Sequence, residues 1–176
     1  MHIRPATMQD HASIMDLYYE AADAMANTPY DCCWRRGGHP SPTFVQSLIE
    51  QGNMLVAQQQ QELIGVVAID HDLGPDYGAL PWLVNTSSDR VAVIHLLVIR
   101  QDHRGKGLSR SLLRACMERA RTAGMLTARL DATANNRPAI ALYTSEGFVQ
   151  VGTGTIDVGP LENPHVPFVV LEKSLS

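Results

Sequence analysis

The sequence predicts an α/β fold with one mixed sheet, and three observations predict it. Apolar periodicity gives the element order β-α-α-β-β-β-α-β-α-β-β, with strands and helices alternating in the middle of the chain. Val91–Ile99 is apolar at every position except His95, as in a central strand covered on both faces. That strand leads directly into a Gly-containing turn, Arg104–Ser109, and then into an amphipathic helix. At 176 residues, the chain suffices for a single domain, 1–176, with a sizeable core.

The elements follow in order. His2–Pro5 is a short strand, and Thr7 with Asp10 forms a capping box ahead of a helix. Ile14, Leu17, Tyr18, Ala21 and Met25 recur along that helix at helical spacing. Asn27–Pro42 breaks the periodicity with Pro29, Gly37, Gly38, Pro40 and Pro42, an irregular segment of the kind that often carries function. Ser41-Pro42 starts a second helix that Gly52 ends. Met54–Gln58 and Leu63–Asp70 pair as a hairpin, and 74–88 is a second irregular loop. The helix from about Lys106 to Ala123 buries Leu108, Leu112, Leu113, Cys116, Met117 and Ala120, and Gly124 stops it. Leu126–Ala132 is a strand, Asn136–Gly147 a helix, and 148–158 and Val166–Lys173 are long final strands.

Composition excludes several classes. A hydrophobic fraction of 45% with 18% charged residues is that of an ordinary globular protein. No apolar run approaches the ~20 residues of a membrane span, and no basic stretch leads into an apolar one near the N-terminus. A cytoplasmic protein without membrane association is expected. Cys32, Cys33 and Cys116 form no CxxC pair, so neither a disulfide framework nor a metal site is expected. The net charge of −4 argues against nucleic acid as a partner. Within it, Arg100–Arg121 holds seven of the 14 Lys and Arg residues against only Asp102 and Glu118. A basic segment around a Gly-rich turn suits a small polyanion.

The turn presents backbone N–H groups at the positive end of a helix, and Gly105 and Gly107 admit a ligand close to the backbone. It is not a P-loop, because Lys106 precedes Gly107 rather than Ser or Thr, and it is not a GxGxxG fingerprint. Arg104-Gly105-Lys106-Gly107-Leu108-Ser109 resembles the acyl-CoA turn of the GCN5-related N-acetyltransferase (GNAT) family, Arg/Gln-x-x-Gly-x-Gly/Ala, with Ser109 at the last position. Asn136-Arg137-Pro138-Ala139-Ile140-Ala141-Leu142-Tyr143-Thr144-Ser145-Glu146-Gly147-Phe148 resembles the same family's N-x-x-A-x-x-L-Y-x-x-x-G-F block. Together with the element order, the likeness covers nearly the whole chain.

The resemblance implies a mostly antiparallel sheet of six to seven strands with about four helices, its central parallel pair splayed for acetyl-CoA as co-substrate. It implies the pantetheine lying along Leu97, Val98 and Ile99, and the pyrophosphate on the N–H groups of Arg104, Gly105, Lys106, Gly107, Leu108 and Ser109. Asn136 would lie near the coenzyme A arm. Tyr143 would protonate the leaving sulfur, the plain alternative being a core tyrosine bonded locally. His95 lies where many members carry a general base. Imidazole suits that role, and a buried or pocket-shaping histidine is the equal alternative. Asp70, His71 and Asp72 are taken as a solvated turn or part of the acceptor site.

Trp34, Tyr77, Trp82 and His95 look like the acceptor side of a subgroup of small bacterial acetyltransferases without an assigned substrate, with simple loop anchoring an alternative of at least equal weight for Trp34 and Trp82. The expected acceptor is a primary amine, of a small molecule first. A protein N-terminus or lysine, or a sensor that binds acyl-CoA without turnover, are the alternatives. The two long final strands also offer a surface for a homodimer.

Overall fold

In a computed structural model, the described residues are 1–72, 80–157 and 165–175. Seven strands form one sheet: β1 (His2–Pro5), β2 (Met54–Gln59), β3 (Glu62–Asp70), β4 (Val91–Ile99), β5 (Thr127–Thr133), β6 (Val149–Asp157) and β7 (His165–Ser174). Their spatial order is β1-β2-β3-β4-β5-β7-β6, and every neighbouring pair is antiparallel except β4–β5. Four α-helices accompany the sheet: α1 (His11–Met25), α2 (Pro42–Glu50), α3 (Leu108–Thr122) and α4 (Arg137–Ser145). The expected mixed, mostly antiparallel architecture is therefore present, including its one parallel pair.

Local chemistry accounts for the element ends. The Asp10 carboxylate accepts hydrogen bonds from the Thr7 backbone N–H and hydroxyl and a bidentate pair from Arg4. This ties the end of β1 to the entry of α1 through one 3₁₀ turn. The Ser41 hydroxyl caps α2 at the Phe44 N–H, with Pro42 in the first turn. α3 starts two residues later than the periodicity suggests. Gly105 and Gly107 both adopt left-handed backbone, φ +74° and +78°, and hold the chain out of the helix until Leu108.

Two cores sandwich the sheet. α3 buries Leu108, Leu112, Leu113, Cys116, Met117 and Ala120 on one face. α1 and α2 bury Ile14, Leu17, Tyr18, Val45, Leu48 and Ile49 on the other. β4 is packed from both sides, as its near-continuous apolar run requires.

One irregularity in β4 shapes everything that follows. Val66 pairs with Val98, but Ala68 pairs with His95, so β4 carries one more residue than β3 across this interval. Leu96 sits in the bulge with φ +57°. An inserted residue flips the strand's alternation. Ala92 and Ile94 face the α3 core, whereas beyond the bulge Ile99 faces it, and Leu96 and Val98 have moved to the α1–α2 core.

Candidate active site

β4 and β5 pair at only three positions, Val91–Thr127, Ala92–Ala128 and Val93–Arg129. Beyond Val93 the two strands part, and the bulge at Leu96 bends β4 away. A cleft of about 270 Å³ opens there. Its floor is Val93–Leu96 of β4 and Leu130 and Asp131 of β5. Trp34, His39 and Phe44 from the α1–α2 segment form one wall, and Asp70 and Asp72 stand at the end of β3. A wider hollow of about 610 Å³ over the β2–β3 turn is lined by Gln60–Leu63, Ser13 and Arg100; there Arg100 is already paired with Glu20 and Glu62.

At the far end of β4 the glycine turn leads into α3. Among the described residues no side chain caps this helix, and its first internal hydrogen bond runs from Ser111 N–H to the Gly107 carbonyl. The preceding N–H groups of the first turn are thus left to an external acceptor. A Cβ at Gly105 or Gly107 would meet nothing within 4 Å, so these glycines serve the left-handed backbone rather than close packing.

The basic character of this segment is largely consumed within the protein. Arg110 and Arg114 both bind the nearly buried carboxylate of Glu146, Arg100 binds Glu20 and Glu62, and Arg121 lies 3.8 Å from Glu118. Arg104 and Lys106, both exposed, remain at the turn, with Arg104 Nε on the Ile99 carbonyl and Lys106 Nζ on that of Asp102. A polyanion would meet these two cations and the helix end rather than the whole sequence excess.

Of the two expected catalytic residues, His95 lines the cleft, and Tyr143 lies in the core on the α3 side of the sheet. His95 comes from β4, and its Nε2 lies 2.9 Å from Oδ2 of Asp70. Burial alone would raise the Asp70 carboxyl; the hydrogen bond and charge of His95 outweigh it and hold Asp70 below the usual carboxylate range. Tyr143, on α4, is buried with its ring 6.1 Å from Phe148. Burial, and secondarily the negative charge of Asp131, push its phenol well above the ordinary value. Tyr143 is therefore a protonated donor at neutral pH. Asp131 itself lines the cleft. Two residues farther along β5, on the same face, Thr133 Oγ1 is buried without a hydrogen-bond partner among the described residues.

The other expected residues are distributed as follows. Leu97 lies within the bulged interval, Val98 and Ile99 pair with Val66 and Gly65 of β3, and all three lie beyond the β5 ladder on the other side. Asn136 caps α4 by accepting from Ala139 N–H, which leaves its amide NH₂ group. Trp34 stands at the cleft, edge-on to Tyr18 with 5.5 Å between ring centroids. Trp82 lies elsewhere: its ring stacks 3.8 Å over the Arg129 guanidinium, anchoring a segment whose Leu83 and Val84 N–H groups reach Glu172. Tyr77 lies outside the described residues. The three cysteines are free thiols, and the described residues contain no cluster suited to a metal ion. No helix among the described residues is long and apolar enough to cross a membrane.

Three features were not anticipated from sequence. Asp70, expected in a solvated turn or in the acceptor site, lines the cleft as the partner of His95. Tyr18, expected only as core, donates its hydroxyl to the Leu96 carbonyl at 3.0 Å and so braces the bulge. Arg129 and Glu172 form a buried ion pair between β5 and β7, with Thr127 also donating to Glu172. The signal for Tyr18 was available, since a buried tyrosine hydroxyl on an apolar helix face needs an acceptor.

Solved structures share this architecture. An N-acetyltransferase from Staphylococcus aureus Mu50 superimposes with a TM-score of 0.74 at 20% identity, covering 99% of this chain and 98% of the other. A ribosomal-protein-alanine N-acetyltransferase from Brucella melitensis gives 0.74 at 23%, covering 99% of each chain. A putative acetyltransferase from Salmonella typhimurium, solved with its cofactor acetyl-CoA, gives 0.71 at 19%, covering 100% of this chain and 94% of the other. At these identities the likeness establishes the fold. No curated protein matches the chain in sequence. A sequence model of the Acetyltransferase (GNAT) family, however, matches residues 15–148, from α1 through the splayed strands to Phe148 behind Tyr143, and the chain belongs to that family.

Proposed function

We propose that this protein transfers an acetyl group from acetyl-CoA to the primary amine of a small cationic molecule by direct attack in a ternary complex. The observation that carries the reading is the parting of β4 from β5, with an uncapped helix end at one extremity and a His–Asp pair in an aromatic-walled cleft at the other. The pantetheine occupies the backbone edge of Leu97–Ile99, replacing the strand that β5 does not supply. The pyrophosphate sits on the N–H groups of the Arg104–Ser109 turn, flanked by Arg104 and Lys106. The Asn136 amide NH₂ group is available to the arm.

The chemistry then divides between two residues. An ammonium, with a pKa of ~10, has no lone pair, so the amine must lose a proton before or during attack. His95 takes that proton, and Tyr143, kept protonated by burial, donates to the departing sulfur. Trp34 and Phe44 offer aromatic faces to the acceptor, and Asp70, Asp72 and Asp131 give the cleft a negative lining. A cleft of this size suits a small amine better than a folded protein end.

The test is release of free thiol from acetyl-CoA in the presence of small mono- and diamines, amino acids and N-terminal peptides. Turnover with cationic small amines and not with peptides is expected. Turnover confined to peptides would replace the small-molecule acceptor, and binding of acetyl-CoA without turnover on any acceptor would reduce the protein to a sensor.

A further inference from the structure

We propose that Asp70 is a positioning residue that fixes His95 with its proton on Nε2, so that Nδ1 is the nitrogen that takes the proton of the attacking amine. The inference rests on the acetyl-transfer reading above and gives Asp70 a role within it.

The argument begins with geometry. Asp70 ends β3 and His95 lies on β4, where Ala68 pairs with His95 just before the bulge. The bulge keeps His95 on the cleft side next to a strand end that carries a carboxylate. Nε2 and Oδ2 are 2.9 Å apart, and both side chains are mostly buried, 22% and 12% exposed. A carboxylate only accepts, so the proton between them belongs to Nε2. In a neutral ring that leaves the lone pair on Nδ1, to which no hydrogen bond is made among the described residues. Asp70 is itself held in place by accepting from the Asp72 N–H.

The surrounding charges suit the transfer. His39 faces His95 from the α1–α2 wall, Asp72 follows β3, and Asp131 faces the cleft from β5. When the amine nitrogen attacks the thioester carbon, its lone pair forms the C–N bond and the C–S pair leaves on sulfur. The nitrogen's proton goes to Nδ1, and sulfur receives the proton of Tyr143, which water restores. His95 returns its proton to solvent, so one proton has moved from nitrogen to sulfur overall. The transient imidazolium lies against the Asp70 carboxylate, which compensates its charge within the mostly apolar site.

The experiment is proton and nitrogen NMR of the full chain without acetyl-CoA, with His95 signals assigned by their loss in His95→Gln. The expected result is the Nε2–H tautomer with a downfield, slowly exchanging Hε2 in the wild type, and loss of that slow exchange in Asp70→Asn. An Nδ1–H tautomer in the wild type, or an Hε2 signal indifferent to Asp70→Asn, overturns the proposal whatever the enzyme acetylates. In turnover with an amine from the acceptor panel, Asp70→Asn should lower kcat on the order of 10-fold or more. KM for acetyl-CoA should stay within about two-fold, because Asp70 lies outside the turn that would hold the diphosphate. An unchanged kcat overturns the role of Asp70 while acetyl transfer stands. Failure of the wild type to bind acetyl-CoA sinks the earlier reading, and the NMR result then still decides the Asp70–His95 pairing.

Discussion

Tyr18→Phe is the sharpest probe of how the cleft is held open. The substitution removes one oxygen and keeps the ring, so the edge contact with Trp34 and the packing of α1 on the sheet survive. What disappears is the hydrogen bond to the Leu96 carbonyl, from a residue only 1% exposed. A buried carbonyl stripped of its partner costs about 1–3 kcal/mol. Leu96 is also held in left-handed backbone, which costs a non-glycine residue roughly 1–2 kcal/mol, and relaxation of the bulge recovers part of that strain. The net loss is about 1–2 kcal/mol, which for a chain of this size lowers Tm by roughly 2–8 °C.

The relaxed bulge should also close the gap between β4 and β5, so the variant loses more than stability. With acetyl-CoA at about 100 times Kd, the wild type gains about 2.7 kcal/mol. A tenfold weaker site gains about 1.4 kcal/mol less at the same concentration. Thermal melting of both proteins with and without acetyl-CoA reads both effects at once. A variant that melts lower but keeps the full acetyl-CoA shift would show that Tyr18 only stabilises the core. An unchanged Tm with an unchanged shift would refute the whole chain of reasoning.

Gly107→Ala has open space for its methyl group, so its cost is conformational, about 1–2 kcal/mol for φ +78°, and a lower Tm should come with a weaker acetyl-CoA shift. Tyr143→Phe should reduce kcat by about 10- to 100-fold with little change in KM for acetyl-CoA. Because burial raises the phenol, the wild-type pH–rate profile should show no basic limb from Tyr143 below pH ~10. The Arg4 hydrogen bonds lower the Asp10 carboxyl to about 2 despite its burial, so its stabilisation is complete above the unfolded value near 4 and is lost as pH falls through about 2. Asp10→Asn should therefore cost about 2 kcal/mol at pH 7, and denaturant titrations should show the difference from wild type shrinking across that acid window.

The elements were legible because their signals are local. Thr7 with Asp10, Ser41-Pro42 and the apolar run of β4 each act within a few residues, and the strands and helices form close to where those residues place them. The turn was legible for the same reason, since Gly105 and Gly107 are needed for backbone angles that few other residues adopt. Pairings across the sheet were not. Asp70 and His95 are 25 residues apart and meet only because β3 and β4 run antiparallel in a bulged register. Arg129 and Glu172 are 43 apart and meet only because β7 inserts between β5 and β6. Trp82 shows the same limit, with ligand wall and loop anchor both open in the sequence. A buried arginine beneath it supplied a stacking partner that composition could not reveal.

Several departures from local rules lie along β4, β5 and the start of α3. A polar residue interrupts the apolar run of β4 at His95, a leucine takes left-handed backbone one residue later, and among the described residues α3 begins without a side-chain cap and a buried threonine hydroxyl on β5 finds no partner. Each alone lowers stability, whereas Ser41 and Asn136 cap their helices in the ordinary way. Such departures gather at functional sites because function is what retains them. Here one cause connects them. The extra residue in β4 parts it from β5 and keeps His95 beside Asp70. It also turns Leu97–Ile99 into an unpaired edge that leads to the uncapped helix. A single insertion in one strand thus creates both the opening for a ligand and the side-chain phase that equips it, which is why bracing by Tyr18 at that residue governs the whole site.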